Sequence, residues 1–274
     1  MLSISKLYIY PIKSLRGISV KSALVTDRGL QYDRRWMVVD EQNKFLSLRT
    51  IPKMTLLRVE MNDDGMKVIS TEHAGNDFQV RFDQEENYQE SVTIWNATVE
   101  AKRVGKDADA WFSEMLGVKC KLVYMPDKSL RPVNTASGFA PDGKFTSFAD
   151  AYPFLMIGQS SMDDLNKRMQ IPLTIERFRP NIVFSGGFPY QEDIIEDFRI
   201  GHINFTGLEN CRRCMVPNVD PDKGVLNSDK EPTRTLATYR LRDKKIEFGR
   251  NVVHQGTGLI SVGDEIQLVN NKKQ

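Results

Sequence analysis

The chain has 274 residues, 38 of them Lys or Arg against 36 Asp or Glu, with 40% hydrophobic and 27% charged side chains. That composition fits a globular protein of one large or two ordinary domains, and the near-cancelling charge gives no electrostatic case for nucleic acid or an anionic membrane. No apolar run of about 18 residues is present to span a membrane, and three cysteines suit a reducing cytoplasm rather than a disulfide framework.

In chain order, Met1 to Tyr10 alternates as a strand and has neither a signal peptide's apolar run nor a transit peptide's arginines, so no leader is expected. Short β-like runs follow over Lys6 to Ile12, Ser19 to Thr26, Arg35 to Val39, Leu56 to Asn62, Met66 to Ser70 and Phe78 to Phe82. Asp27-Arg28-Gly29 and Asn62-Asp63-Asp64-Gly65 mark turns between them. Ser91 to Trp95 and Thr98 to Ala101 continue the pattern, which predicts an antiparallel sheet or small barrel. Ala108, Trp111, Phe112, Met115 and Leu116 then fall at helical spacing before Gly117 stops the run.

Lys119 to Met125 reads as a strand, and the Pro- and Gly-containing Pro126 to Lys144 as a linker or an ordered loop beside a site. Met162 to Met169 reads as a helix, with Asp163 and Asp164 early and Lys167 and Arg168 late, as the helix dipole favours. Ile182 to Ser185 is a short strand closed by Gly186-Gly187. From Phe198 β character resumes and ends in Gly258 to Val269; Asn270 to Gln274 is a solvated end. The expected class is α+β and β-rich.

Two of the three cysteines, Cys211 and Cys214, flank Arg212 and Arg213. Guanidinium neighbours favour the thiolate, the form that acts as nucleophile or soft metal ligand. A zinc site would need a second Cys or His pair, and only Cys120, His73, His202 and His254 are left to supply it. A thioredoxin-like pair would start a helix, whereas Met215-Val216-Pro217 reads as extended chain. Two inert buried thiols would sit poorly with two arginines, which leaves one working thiolate as the preferred reading.

Other cations stand at strand ends: Lys13 with Ser14 after Tyr10-Pro11-Ile12, Arg34 with Arg35, and Arg177 with Arg179 before Pro180-Asn181. The alternation of Arg177 and Arg179 would put both on one side of an extended segment. Each alone is readily a surface charge or ion pair. Together they suggest an anionic ligand, because Arg forks and Lys point charges suit phosphate. G-x-x-x-x-G-K-[ST], G-x-G-x-x-G and G-x-S-x-G motifs are absent.

Tyr10 to Ser14, Asp33-Arg34-Arg35-Trp36, Phe148 to Pro153, Arg177-Phe178-Arg179-Pro180-Asn181 and Cys211-Arg212-Arg213-Cys214 occur in the order seen in MOSC-domain proteins. The whole chain resembles the branch containing the mitochondrial amidoxime-reducing components and their bacterial relatives. The resemblance implies an N-terminal β-barrel domain over residues 1–120 and a β-barrel MOSC domain with a few helices over 125–268. It implies a molybdenum cofactor, a phosphorylated pterin dithiolene carrying the metal (Mo-molybdopterin), with Cys214 as the protein ligand to molybdenum. Lys13, Ser14, Arg34, Asp150, Arg179, Asn181, Arg212 and Arg213 would hold pterin and phosphate. A family-level association with pyridoxal phosphate binding comes with it.

The implied activity is reduction of N-hydroxylated compounds (amidoximes, hydroxylamines or N-hydroxylated bases) by a cytoplasmic oxidoreductase. Position suggests Asp193 or Asn218 for proton transfer or substrate orientation. Electrons would come from a separate ferredoxin-, flavodoxin- or cytochrome-type protein with its reductase, docking at the acidic run Asp193 to Asp197 or at Lys272-Lys273. The alternative is a carrier of the cofactor, or of its sulfur, without turnover. Arg212, Pro217-Asn218 and Ile195 stand where relatives have a serine, two threonines and a tryptophan, which bears on the substrate more than on the cofactor. The appended ferredoxin-like domain of many bacterial relatives and the animal proteins' membrane anchor are not found in the sequence.

Overall fold

The computed structural model describes residues 1–82, 88–133 and 143–269. Its largest unit is a closed barrel of seven strands. Around it run Phe154–Gly158, Ile182–Ser185, Leu2–Ile9, Glu265–Leu268, Asp197–Ile200, Ile203–Arg212 and Lys245–Gln255, which pairs back onto Phe154–Gly158. One pair is parallel, Phe154–Gly158 with Ile182–Ser185, and the helix Gln159–Arg168 begins the crossover that a parallel pair requires. The rest are antiparallel. Inward residues fill the barrel with side chains: Phe198 stacks on Phe205 at 5.2 Å between ring centroids, and Phe154 meets Phe205 edge-on.

The chain's first strand thus belongs to a barrel whose other members lie beyond residue 153. The run expected from Ser19 to Thr26 divides in two. Ile18–Val20 pairs with Leu2–Ile9, while Ser22–Thr26 pairs with Gly258–Ser261 near the chain's end. Early and late segments therefore interlace.

A four-stranded sheet (Trp36–Asp40, Cys120–Tyr124, Ala97–Arg103, Gln89–Ile94) and a three-stranded meander (Leu57–Asn62, Gly65–Ser70, Asp77–Arg81) make up the other body. The helix Lys106–Leu116 seals it with the expected stripe, Ala108, Trp111, Phe112, Met115 and Leu116 all buried, and Gly117 ends it in a left-handed conformation, φ 67°. The described ends of Pro126 to Lys144 are ordered, since Val133 N donates to Lys144 O at 2.9 Å and Thr146 N to Arg131 O at 3.0 Å. Among the described residues no helix is long and apolar enough to cross a membrane.

Candidate functional site

Where the two bodies meet, backbone bonds cross-brace three loops. Lys13 N donates to Trp36 O at 2.8 Å, Arg34 N to Tyr10 O at 2.8 Å, and Phe148 N to Arg34 O at 2.9 Å. The fourth contributor is the strand Ile203–Arg212. Its register with Lys245–Gln255 slips twice, between Gly207 and Asn210 and again between Asn210 and Arg212, so the chain leaves the ladder as it reaches Cys211.

These segments enclose a cavity of about 320 Å³, within the size range of small-molecule sites. Lys13, Ser14, Arg34, Asp150, Arg179, Asn181, Arg212, Arg213 and Cys214 all line it. Six lining residues are cations (Lys13, Arg34, Arg49, Arg179, Arg212, Arg213), and the lining carboxylates are Asp150 and Glu209. The excess of positive charge selects for an anionic guest. Three lining residues other than glycine hold left-handed backbone, Ser14 at φ 73°, Arg34 at 50° and Arg179 at 57°. Such conformations cost of order 1 kcal/mol or more each and gather at binding sites.

The cations are held in place. The Tyr10 ring lies between two guanidiniums, Arg34 at 4.1 Å and Arg179 at 4.2 Å. Arg34 also donates to both Asp33 oxygens, at 2.8 and 2.6 Å, and Arg179 to Leu15 O at 2.8 Å. Burial, with Arg34 adding repulsion, lowers the Arg179 guanidinium to about 10. Lys13 is buried and donates to Asp150 Oδ1 at 2.5 Å and Phe148 O at 2.8 Å. Burial pushes its ammonium down to about 8 against the pull of Asp150. Burial alone would raise the Asp150 carboxyl, but the charges of Lys13 and Arg49 outweigh it and hold it well below the usual carboxylate range.

From Asp150 a short relay leads to the thiol. Arg49 donates to Asp150 Oδ2 at 2.9 Å and through Nε to Cys214 Sγ at 3.4 Å, its guanidinium 4.5 Å over the Trp95 ring. Of the three cysteines Cys120 is buried, Cys211 half-buried and Cys214 exposed. Cys211 Sγ accepts from Arg213 at 3.0 Å, yet burial outweighs that charge and pushes its thiol up. Lowering by the flanking arginines, expected of this pair, therefore fails at Cys211. Arg213 spends its other terminal nitrogen on Phe178 O at 2.9 Å, and its Nε is buried without a partner. That unmet donor beside the cavity asks for an acceptor.

The sequence matches the MOSC N-terminal beta barrel domain over residues 1–119 and the MOSC domain over residues 143–267. The chain belongs to the MOSC-domain proteins. It is 31% identical to mitochondrial amidoxime-reducing component 1 of Mus musculus, covering 97% of this chain and 82% of that protein. The human protein of the same name is 29% identical over 97% of this chain and 83% of its own length. Molybdenum cofactor sulfurase of Oryza sativa subsp. japonica is 30% identical over 90% of this chain, which spans 32% of that longer protein.

Two residues singled out in this MOSC protein do not reach the cavity. Asp193 is 7% exposed and held by Arg240 at 2.7 Å. The Asn218 amide donates to Thr233 Oγ1 at 2.7 Å and accepts from Thr233 N at 3.2 Å. Both are tied into the scaffold, so neither is placed to move a proton at the thiol. Asn181 lines the cavity, but its amide serves the framework, accepting from Arg34 at 3.1 Å and Leu155 N at 3.2 Å and donating to Tyr8 O at 3.3 Å. The expected alternation of Arg177 and Arg179 fails as well. Ile175–Phe178 is a tight 3-10 turn; Arg177 faces Asp220 at 3.6 Å while Arg179 enters the cavity. Arg49 and Glu209 join the lining without sequence notice, Glu209 accepting from Tyr152 of the Phe148 to Pro153 stretch.

The Lys13 titration gives a direct check. Sulfate keeps its charge from pH 7 to 9.5, so its binding, followed by calorimetry, is expected to weaken as pH rises through about 8 and Lys13 loses its proton. Lys13→Met should bind weakly at every pH, without that step. Equal affinity of the wild type at pH 7 and 9.5 would remove Lys13 from the anion's surroundings.

Proposed function

We propose that this MOSC protein holds the molybdenum cofactor in the cavity and reduces N-hydroxylated compounds to the amine or amidine. The observation that carries the reading is the exposed Cys214 thiol facing a cation-rich cavity beside the buried, unpartnered Nε of Arg213. Among the described residues no three His, Cys, Asp or Glu side chains gather as a metal cage. One thiolate would therefore suit a metal that arrives with its other ligands attached. The fit extends to the anion, since Lys13, Ser14, Arg34, Arg179 and Arg213 offer the donors a phosphate and a pterin require. Arg212 stands exposed at the lining's edge, and Asp150 orients Lys13 and Arg49. A cytoplasmic setting, where thiols stay reduced, suits an exposed Cys214.

The bound group would supply the redox chemistry that breaks the N–O bond. In balance, R–NH–OH takes up two electrons and two protons and leaves as R–NH₂ and water. The chain would orient the substrate and provide protons. Lys13, titrating near 8, is the cavity group suited to that. Electrons would come from a ferredoxin-, flavodoxin- or cytochrome-type donor.

A carrier of the cofactor or its sulfur is the second reading, favoured by the likeness to a molybdenum cofactor sulfurase. Elemental analysis together with anaerobic reduction of benzamidoxime separates the two. About one molybdenum per chain, turnover with dithionite and none with NADH alone are expected. Bound molybdenum without turnover would favour the carrier, and protein that never takes up molybdenum would refute both.

A further inference from the structure

The reductase reading needs a surface for the electron donor, and the inference here rests on that reading. The acidic run Asp193 to Asp197 is not that surface. Asp193 is buried against Arg240, Asp197 accepts from Thr206 at 2.8 Å, and of its carboxylates Glu196 alone is exposed. Lys272-Lys273 lies outside the described residues.

A different element flanks the Cys211–Cys214 segment. Leu241–Arg242 pairs with Lys245–Gln255 through Leu241↔Ile246 and Arg242↔Lys245. The intervening Asp243 and Lys244 both hold left-handed backbone, φ 46° and 61°, as a tight hairpin requires. The next strand inward is Ile203–Arg212, with Arg212 opposite Glu247, and Arg213 N donates to Ile246 O at 2.7 Å. By strand spacing, the hairpin lies only about 10 Å from the Cys211–Cys214 segment. Arg212, Arg242, Lys244 and Lys245 are exposed on this ribbon, and Asp243 is the sole carboxylate between Arg240 and Lys245. Arg242 is partly offset, its guanidinium 3.7 Å from Asp193 and 3.9 Å from Glu247, whose side chain also accepts from Asn210, so Arg212, Lys244 and Lys245 carry the ribbon's positive field. Leu241 and Met215 add exposed apolar surface, 55% and 41% accessible.

We propose that this basic ribbon is the docking surface of a small electron-carrier protein whose redox centre is ringed by carboxylates. The cations steer such a partner toward the mouth of the cavity, and Leu241 and Met215 give the encounter a small dry centre. Each reduction of substrate consumes two electrons, delivered as two visits of a one-electron carrier or one visit of a two-electron carrier. Such contacts are small and transient.

The test uses the full-length, molybdenum-loaded protein with an acidic [2Fe–2S] ferredoxin and an acidic flavodoxin as probes. Wild type should bind at least one of them, more tightly at 20 mM than at 300 mM salt. Lys244→Glu with Lys245→Glu should weaken that binding about tenfold at low salt and raise the carrier concentration for half-maximal turnover by a similar factor. Dithionite-driven turnover should stay unchanged, as should carrier binding by Lys106→Glu on the other body. Equal affinity of the double variant and wild type, or no salt-sensitive binding of either carrier, overturns the assignment. Should dithionite give no turnover while the double variant still loses binding, the reductase reading falls and the docking surface stands.

Discussion

Cys214→Ala is expected to bring molybdenum content and turnover to background, while Cys211→Ala keeps both within about tenfold of wild type, the mild end of the range usual for a group beside a ligand rather than the ligand itself. The asymmetry is structural. Cys214 is exposed to the cavity and accepts from Arg49 at 3.4 Å. Cys211 is half-buried, its thiol pushed up by burial and its sulfur occupied by Arg213 at 3.0 Å. Removing the Cys211 sulfur frees one Arg213 nitrogen but leaves its bond to Phe178 O, so the cradle should loosen rather than collapse. Metal analysis, activity and thermal melting on both variants make the check. Equal loss from two folded variants would revive a mechanism in which the thiols act as a pair.

The elements most legible in the sequence were those whose order is local. The stripe from Ala108 to Leu116 and the stop at Gly117 follow from 3.6-residue periodicity and a left-handed cap, and both are present. The barrel's closure was not legible in that way. Nothing within Leu2–Ile9 states that its neighbours will be Ile182–Ser185 and Glu265–Leu268, because strand pairing is decided by packing between distant segments. For the same reason the split at Lys21, which sends Ile18–Val20 and Ser22–Thr26 to different sheets, leaves no mark in local alternation.

The site divides along similar lines. Strand-end cations pointed to Lys13, Arg34, Arg35, Arg177 and Arg179, and the cysteine pair to Arg213; Lys13, Arg34, Arg179 and Arg213 line one cavity, while Arg35 and Arg177 do not. Arg49 escaped notice because Leu48-Arg49-Thr50 carries no turn or motif signal; its role arises from the relay to Asp150 and Cys214 across about a hundred residues and more. Asp193 and Asn218 were suggested by their position alone. In space Arg240 and Thr233 hold them, two partners that no spacing rule connects to them.

Glu192 offers the largest stability effect and a pH dependence of definite sign. It is fully buried beneath the helix Gln159–Arg168; its Oε2 accepts from Ser161 at 2.7 Å, and its Oε1 has no partner. Burial raises its carboxyl from 4.5 to about 7. Between those two values the folded state binds a proton that the unfolded chain has released, so the unfolding free energy must fall as pH rises through that window. The stabilising share of Glu192 is whole below about 4.5 and gone above about 7, a difference of roughly 3 kcal/mol at 1.36 kcal/mol per pKa unit. Glu192→Gln stays neutral at every pH, fills the same space and can still accept from Ser161. The variant is therefore expected to lack this fall and to exceed wild type in stability at pH 7.5. Carboxylates with lowered values, such as Glu176 and Asp164, act in the opposite sense in both proteins. The informative quantity is therefore the difference between the two curves from urea denaturation at pH 4.5 to 7.5. Parallel curves would mean that Glu192 reaches water and titrates as an ordinary glutamate.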